Sequence, residues 1–264
     1  MKTRTLIAAC ALAGAPLQAQ HRLNHPPLHV DPSYEECHVR FAPTLTQAAF
    51  RKFAREFGSV SAYKQMASAS TLGKGRVSLG IEMMTFGVDH FSDAWNDTFA
   101  HPDADHELGA RQQFPKIKVR AGVTDDIDIG AFFTRNPLSN YGWFGVDGKY
   151  RVLTEGDRLP VSVAVRGAYT KTLYVTDMDM HAITADVSVE RRIAQTFRPY
   201  LGVGADGVFA RETTNSVALN SENHIVPHLF GGIDVTVLGR VTLGAEFTLG
   251  ARQSTQIQVG ALLF

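Results

Sequence analysis

Residues 225–249, near the C-terminus, alternate apolar side chains with polar or small ones at every second position. Their sequence is IVPHLFGGIDVTVLGRVTLGAEFTL. Leu238 and Gly239 interrupt the alternation with a tight connection, so we predict two antiparallel strands. One face of both strands is continuously apolar, and the other carries Asp234 and Glu246. Two strands of about ten residues with this pattern are typical of a lipid-facing hairpin in a membrane β-barrel.

The same alternation recurs throughout residues 75–264, where we count about ten strands. The predicted fold class is all-β: a single antiparallel up-and-down transmembrane β-barrel of about ten strands, with a short N-terminal α-helix. The connections after the first, third, fifth and seventh strands are predicted to be long. Those after the second, fourth and eighth are predicted to be short, so long and short links alternate along the chain.

Composition excludes several classes of protein. The 264 residues include 26 Lys and Arg, 26 Asp and Glu, and 44% hydrophobic residues. A balanced charge of this kind does not indicate a nucleic-acid partner, and the hydrophobic content argues against a disordered chain. No apolar run reaches the roughly 18 residues that a membrane-spanning helix requires. Any membrane role must therefore be carried by strands.

The first 19 residues are typical of a secretory signal peptide. Lys2 and Arg4 precede an apolar run that ends in small residues. A lipoprotein signal ending at Cys10 is the alternative, although the apolar core before that cysteine is short. Cleavage of the signal peptide removes Cys10 and leaves Cys37 as the only thiol, so no intrachain disulfide is expected. Burial as an inert residue and pairing with another molecule both remain open for Cys37.

With its signal peptide, its alternating strands, the short Thr124-Asp125-Asp126 link and a terminal Phe264, the chain resembles Gram-negative outer-membrane β-barrel proteins as a class. The resemblance covers roughly residues 75–264. It implies location in the outer membrane of a Gram-negative bacterium, contact with outer-membrane lipid, and insertion by the barrel-assembly machinery, which reads a terminal aromatic residue in this class. With a periplasmic N-terminus, the long links would be extracellular and the final residue would return to the periplasm.

The final strand departs from the expected pattern. Phe264 shares its parity with Leu262, Gly260 and Gln258, whereas Ile257 and Val259 fall on the other one. We interpret this either as a bulge that shifts the register or as an apolar side that faces a plug.

Residues 20–74 are predicted to form an N-terminal periplasmic or plug segment with a helix over residues 44–57. Apolar side chains recur there at steps of three and four residues. Thr44 or Thr46 is available as the N-terminal cap, and Gly58 as the stop. The helix could lie against the periplasmic mouth or inside the lumen. Its basic face, comprising Arg51, Lys52 and Arg55, could meet acidic lumen residues or be solvated.

The inward-facing parity of the strands collects charged side chains of both signs. The cations are Lys116, Lys118, Arg120, Lys149, Arg151, Arg166 and Arg198, and the anions are Glu82, Asp128, Asp147, Asp186, Glu190, Asp206, Asp234 and Glu246. Balanced charge in a narrow barrel favours a salt-bridged interior over a wide aqueous pore. Three bases on one strand could still favour anionic solutes. The leading functional prediction is passage or binding of a small solute, with the N-terminal helix as a plug or gate.

The first long link is rich in potential metal ligands. Carboxylates and histidines could hold Ca²⁺ or another divalent ion there, and the candidate ligands are Asp93, Asp97, His101, Asp103 and His106. Their spacing fits no known calcium-loop pattern. No other cofactor is expected.

Two alternatives belong to other functional classes. An outer-membrane hydrolase would place a histidine and carboxylates at the extracellular rim, and His181 lies near Asp177 and Asp179 in the sequence. Further polar residues lie on the next long link, namely Ser221, Glu222 and His224. No short motif ties these residues together. A structural or surface-binding barrel, without transport or catalysis, requires no site.

Overall fold

A computed structural model describes residues 28–29, 35–64, 66, 68–102, 108–157, 159–193, 196–214 and 216–263. The predicted signal peptide, with Cys10, and the terminal Phe264 lie outside these residues. In chain order the elements are β1 Leu28–His29, β2 His38–Val39, α1 Gln47–Ser61, β3 Val77–Gly87, α2 Asp93–Asn96, β4 Phe99–His101, β5 Arg111–Gly122, β6 Ile127–Arg135, β7 Gly142–Leu153, β8 Ser162–Leu173, β9 Met178–Glu190, β10 Phe197–Glu212, β11 Glu222–Val237, β12 Val241–Leu249 and β13 Ser254–Leu262.

Ten of these strands, β3 and β5–β13, form a closed barrel in which every neighbouring pair is antiparallel. The first and last wall strands complete the ring, with Ile81 opposite Val259. The remaining short strands form a separate three-stranded sheet in the order β1, β4, β2. The predicted fold class is therefore confirmed.

Alternation along the strands sorts side chains between the two surfaces of the wall. Outward positions carry large exposed apolar residues such as Ile81, Ile117 and Leu201. Inward positions between them are buried and often charged, as at Glu82 and Lys118. The period of two places these opposite chemistries on opposite faces because successive side chains of a strand point in opposite directions.

The last strand follows the same rule without a shift of register. Ile257 and Val259 lie outward and exposed, and Gln256 lies inward and fully buried. Strand β13 pairs without a break with both of its neighbours. Both interpretations of its parity, a bulge and an apolar side facing a plug, are therefore wrong. The inward glutamines have polar partners inside the barrel, so the apolar side is left for the outer surface.

The connections lie at two ends, which we call the loop end and the turn end. The loop end carries loops 1 to 5, which are residues 88–110, 136–141, 174–177, 213–221 and 250–253. The turn end carries residues 123–126, 154–161, 191–196 and 238–240. The predicted alternation of long and short links is partly wrong, because residues 154–161 outnumber those of loop 3. Tyr174, with φ of 68°, turns tightly and shortens loop 3.

The segment before the wall lies inside the barrel. Gln47 contacts Asn220 in loop 4, whereas Thr71 contacts Asp125 at the turn end. The chain therefore descends through the lumen from the loop end, and Gly73 and Gly75, both with positive φ, turn it into β3. We call residues 47–72 the lumen segment.

Helix α1 differs in its bounds from the predicted residues 44–57. It begins at Gln47 because the Thr46 hydroxyl accepts a hydrogen bond from the backbone N–H of Ala49. It continues through Gly58 to Ser61, so Gly58 is not the stop. Gly58 instead faces Val208 of the wall at a distance too short for any side chain.

Candidate functional site

The loop-end half of the lumen is filled by a hydrophobic core. Phe50, Phe53 and Phe57 project from α1 and are fully buried. The ring of Phe57 lies 5.6 Å from that of Trp143 on the wall, and Phe53 lies 5.3 Å from Trp95 of loop 1. Burying each phenylalanine contributes about 1.5–3 kcal/mol. The helix is therefore held by the wall on one side and by loop 1 on the other.

Polar contacts tie the exposed side of α1 to the surrounding loops. Lys52 donates a hydrogen bond to Asp89 of loop 1 at 2.6 Å. This bond holds the pKa of the Asp89 carboxyl below its ordinary value. Arg51 also pairs with Glu222 at the start of β11, although its side chain is 60% exposed. Arg55 is exposed, so the basic face is partly paired with acidic residues and partly solvated.

A buried polar cluster lies below the helix, near the middle of the barrel. Lys64 of the lumen segment forms an ion pair with Asp206 of β10. His228 of β11 places Nδ1 3.2 Å from the same carboxylate, and the Thr184 hydroxyl donates to it at 2.8 Å. Asp206 thus gathers donors from the segment and from two further wall strands.

Charged wall residues bind the backbone of the lumen segment in the turn-end half. Lys149 donates to the carbonyl oxygens of Ser68 and Ser70. Asp128 accepts a hydrogen bond from the backbone N–H of Leu72 at 3.1 Å. An extended chain without strand partners has many open backbone groups, and these contacts satisfy several of them.

Wall glycines leave the space that the lumen segment occupies. A Cβ atom at Gly145 would lie 2.7 Å from the Tyr63 ring, and one at Gly244 would lie 2.6 Å from Met66. At Gly122 it would lie 1.9 Å from the carbonyl oxygen of Gly73, in the turn that follows the segment. These distances are shorter than van der Waals contact, so larger wall residues would collide with the segment.

Most of the charged residues predicted to line the lumen are buried in the barrel interior. They are Glu82, Lys116, Lys118, Arg120, Asp128, Asp147, Lys149, Arg166, Asp186, Glu190, Asp206, Asp234 and Glu246. Ion pairs join many of them across neighbouring strands, including Lys118 with Glu82 at 2.7 Å and Arg166 with Asp186.

Two of the predicted lumen residues are placed differently. Arg151 lies at the turn end and pairs with Asp126 of the adjoining turn at 2.6 Å. Arg198 is half-buried and donates to the Thr236 hydroxyl at 3.1 Å. Both lie near the ends of their strands, where an inward parity no longer guarantees a place deep in the lumen.

Sequence reasoning missed Lys64 and the glutamines. Lys64 follows the helix in a stretch without periodicity, so no pattern could place it. Gln256 and Gln258 alternate with apolar residues on β13, and this alternation could have identified them. Gln256 donates to Glu246 at 3.2 Å, and Gln258 accepts from Lys118 at 3.0 Å.

The predicted metal ligands do not form a metal site in the part of loop 1 that is described. Asp93 is exposed, whereas Asp97 and His101 are buried. Across the described residues, no group of three or more His, Cys, Asp or Glu side chains is arranged to hold a metal ion. Asp103 and His106 lie outside the described residues, so divalent-ion binding stays a prediction. Cys37 is buried, with Sγ 3.2 Å from Nδ1 of His101.

The candidate hydrolase residues are spread over different surfaces. His181 lies on the outer face of β9 and stacks on Phe209, with ring centroids 5.0 Å apart. Glu222 accepts hydrogen bonds from Gln47 and Arg51 of the helix. His224 lies 3.5 Å from Glu222 through Nε2. Glu222 is thus engaged in holding the helix, and His181 faces away from it.

The closed ring of strands satisfies its backbone hydrogen bonds internally, and its outer surface is a continuous band of exposed apolar side chains. Such a surface is stable in lipid and would aggregate in water. The protein is an integral outer-membrane β-barrel. It resides in the outer membrane of a Gram-negative bacterium, where barrels of this class place their long loops outside the cell and their short turns in the periplasm. By this rule we expect the loop end, which carries the longest link, residues 88–110, to be extracellular. No helix in the described ranges is long and apolar enough to cross a membrane.

Among comparisons with known proteins, only the comparison with solved structures found similar proteins. No protein-family model matches the chain, and no curated protein matches its sequence. The fold is similar to an outer-membrane channel from Pseudomonas putida F1, with 7% identity, a TM-score of 0.46, and coverage of 76% of this chain and 100% of that chain.

Two further solved structures are similar at the level of the fold. The KdgM porin, in complex with disordered oligogalacturonate, has 8% identity, a TM-score of 0.41, and coverage of 71% of this chain and 99% of that chain. Ail, the attachment invasion locus protein of Yersinia pestis, has 14% identity, a TM-score of 0.32, and coverage of 72% and 97%.

Proposed function

We propose that this barrel passes or binds a small solute and that the lumen segment is its plug. The proposal rests on one observation: the lumen segment is separate from the strands that form the barrel wall. The wall closes through the pairing of β3 with β13, whereas the described residues of the lumen segment contribute no strand to it. Removing the segment would leave every hydrogen-bonded strand pair of the wall in place.

The shape of the wall supports a plug rather than an ordinary side-chain core. Barrels of this size can fill their interiors with wall side chains alone. Here the missing side chains at Gly145 and Gly244 leave room that Tyr63 and Met66 of the segment share with neighbouring wall side chains. The emptied lumen would expose charged residues of both signs, which would be hydrated and would line an aqueous passage.

The two halves of the segment are held by different forces. The aromatic face of α1 closes the extracellular half, where several buried rings together contribute on the order of 5–10 kcal/mol. The periplasmic half is held mainly by hydrogen bonds to Lys149, Asp128 and Glu190. Each such bond contributes about 0.5–3 kcal/mol net. Both halves of the segment therefore hold the intact protein closed at rest, the first through its aromatic core and the second through hydrogen bonds to its backbone.

Single-channel conductance in a planar bilayer tests the proposal. The intact mature chain should be silent, and a variant lacking residues 20–74 should conduct. Heat-modifiable electrophoretic mobility would show that the truncated barrel is folded. A folded, silent truncation would refute a plug function, because the wall would then close its own lumen.

A disulfide lock provides a matched control within one molecule. A Cβ atom at Gly250 would lie 3.4 Å from the Ser59 hydroxyl, so cysteines at these positions could join the helix to loop 5. In a Cys37→Ser background, Ser59→Cys/Gly250→Cys should conduct under mild denaturant when reduced and stay silent when oxidised. Equal conductance in both states would mean that the passage bypasses the segment.

A further inference from the structure

The path of the lumen segment crosses the whole thickness of the membrane. The order of its contacts follows the order of its residues. Just before the segment, Phe41 donates its backbone N–H to Asp177 of loop 3 at 2.8 Å. Within the segment, Ser59 lies 3.5 Å from Asp206 near the middle of β10. Ser70 then contacts Glu190, the last residue of β9, at the turn end. The chain therefore enters at the loop end and leaves at the turn end.

Residues before α1 are built into a folded cap at the loop end. Strands β2 and β1 flank β4 of loop 1 on its two edges. Asn140 of loop 2 accepts from the backbone N–H of Val39 at 2.8 Å and donates to its carbonyl at 2.7 Å. Val39 and Phe41 belong to the same hydrophobic core as α1. This cap fixes residues 35–46 on the extracellular side.

The described barrel offers no route by which a chain could return from the cap to the periplasm. The loop-end half of the lumen is filled by α1, whose buried rings pack against the wall and loop 1 from opposite sides. A second polypeptide strand would need space that the aromatic core already occupies. The outer surface of the wall is apolar and faces lipid, where unpaired backbone polar groups cost several kcal/mol each.

We propose that the chain threads its own barrel and displays its N-terminal region on the cell surface. The lumen segment leads directly into β3, and β3 closes the ring against β13, the last strand of the chain. The segment is therefore covalently continuous with a strand at the seam of the barrel. The inference does not depend on passage of a solute, because a permanently closed barrel would have the same topology.

Cysteine labelling of intact cells tests the topology. The probe is a maleimide attached to a polyethylene glycol chain too large to pass through porins, and the background is Cys37→Ser. Thr44→Cys reports on the exposed chain between β2 and α1. Leu138→Cys in loop 2 marks the extracellular side, and Leu238→Cys in a turn marks the periplasmic side, since both native side chains are exposed.

Thr44→Cys should label on intact cells to the same extent as Leu138→Cys, while Leu238→Cys should label only after the outer membrane is permeabilised. Labelling of Thr44→Cys only after permeabilisation would overturn the inference. Glu35→Cys, at another exposed position, repeats the measurement independently of the first substitution. Heat-modifiable mobility shows that each labelled barrel is folded.

Discussion

Lys64 and Asp206 form an ion pair near the centre of the barrel, with only 4% and 0% of their side chains exposed. Lys64 belongs to the lumen segment and Asp206 to the wall, so this ion pair is one of the contacts that join the two parts of the molecule. A buried pair of this kind compensates for the loss of water around both charges only while both partners are present.

Replacing Lys64 with methionine should leave the Asp206 carboxylate buried without its cation. We expect the free energy of unfolding to fall by about 3–5 kcal/mol, because an uncompensated buried charge is costly. Urea titration of the barrel in lipid vesicles, followed by tryptophan fluorescence, measures this change.

Lys52→Met is the matched control, since Lys52 pairs with Asp89 at the surface, where the side chains are 41% and 38% exposed. It should cost less than about 1 kcal/mol. The double variant Lys64→Met/Asp206→Leu should recover part of the loss. Equal destabilisation by Lys52→Met and Lys64→Met would contradict the role assigned to the buried pair.

Gly58→Ala should destabilise the protein although alanine favours helices by about 1 kcal/mol. A Cβ atom at position 58 would lie 2.1 Å from Cγ1 of Val208. Val208 is fully buried and its branched side chain has few alternative rotamers. Overpacking of this kind costs about 1–3 kcal/mol, and it should push α1 away from β10. Tryptic digestion at the arginines of α1 measures the loosening.

Val208→Ala should rescue Gly58→Ala, because it removes both methyl groups that the new Cβ atom would meet. Gly148→Ala is the neutral control: it lies on the same wall, and no atom lies within 4 Å of the added Cβ. The proposed helix-wall contact is wrong if Gly58→Ala resists trypsin as well as the unmodified protein does.

Loop 1 should loosen from α1 in acid. Because the hydrogen bond from Lys52 holds the pKa of Asp89 below its ordinary value, the folded state binds its proton less readily than the unfolded state does. The contact therefore contributes fully above the ordinary carboxylate pKa of about 3.9 and is lost as the pH falls through the lower, folded value. Its contribution should be less than about 1 kcal/mol at this exposed position.

Hydrogen exchange at residues 88–92, corrected for the intrinsic rate, measures this loosening. Protection should be constant from pH 7 to pH 5 and decline toward pH 3. Asp89→Asn should abolish that decline, so that protection at residues 88–92 no longer changes with pH. An unchanged decline in this variant would assign the effect to another group.

The wall was predictable because its pattern is local. In a strand the side chains at every second position share a face. The faces of Ile81 and Glu82 can therefore be assigned from their own strand, before its neighbours in the sheet are known. Thr46 as a cap is equally local, and it was one of two predicted alternatives. The end of α1 was not predictable. Glycine ends many helices, but Gly58 lies within this one and allows Val208 of the wall to approach closely.

The contents of the lumen depended on contacts that no local pattern carries. Lys64 finds Asp206 and His228 at sequence separations of 142 and 164 residues. The charged residues on the inward parity were identifiable, but their partners were not, because many combinations of opposite charge satisfy the same alternation.

The amino-acid sequence by itself determined a barrel with a lipid-facing exterior and a charged interior, because periodicity and hydrophobicity act residue by residue. Only the tertiary structure decided what fills that interior and from which end the filling enters. Helix α1 is amphipathic in either location, so its sequence is compatible with the periplasmic mouth and with the lumen. The choice is made by Phe53 and Phe57 packing against Trp95 and Trp143, and by wall glycines shaped to the segment. Those complementary surfaces exist only once distant parts of the chain have come together.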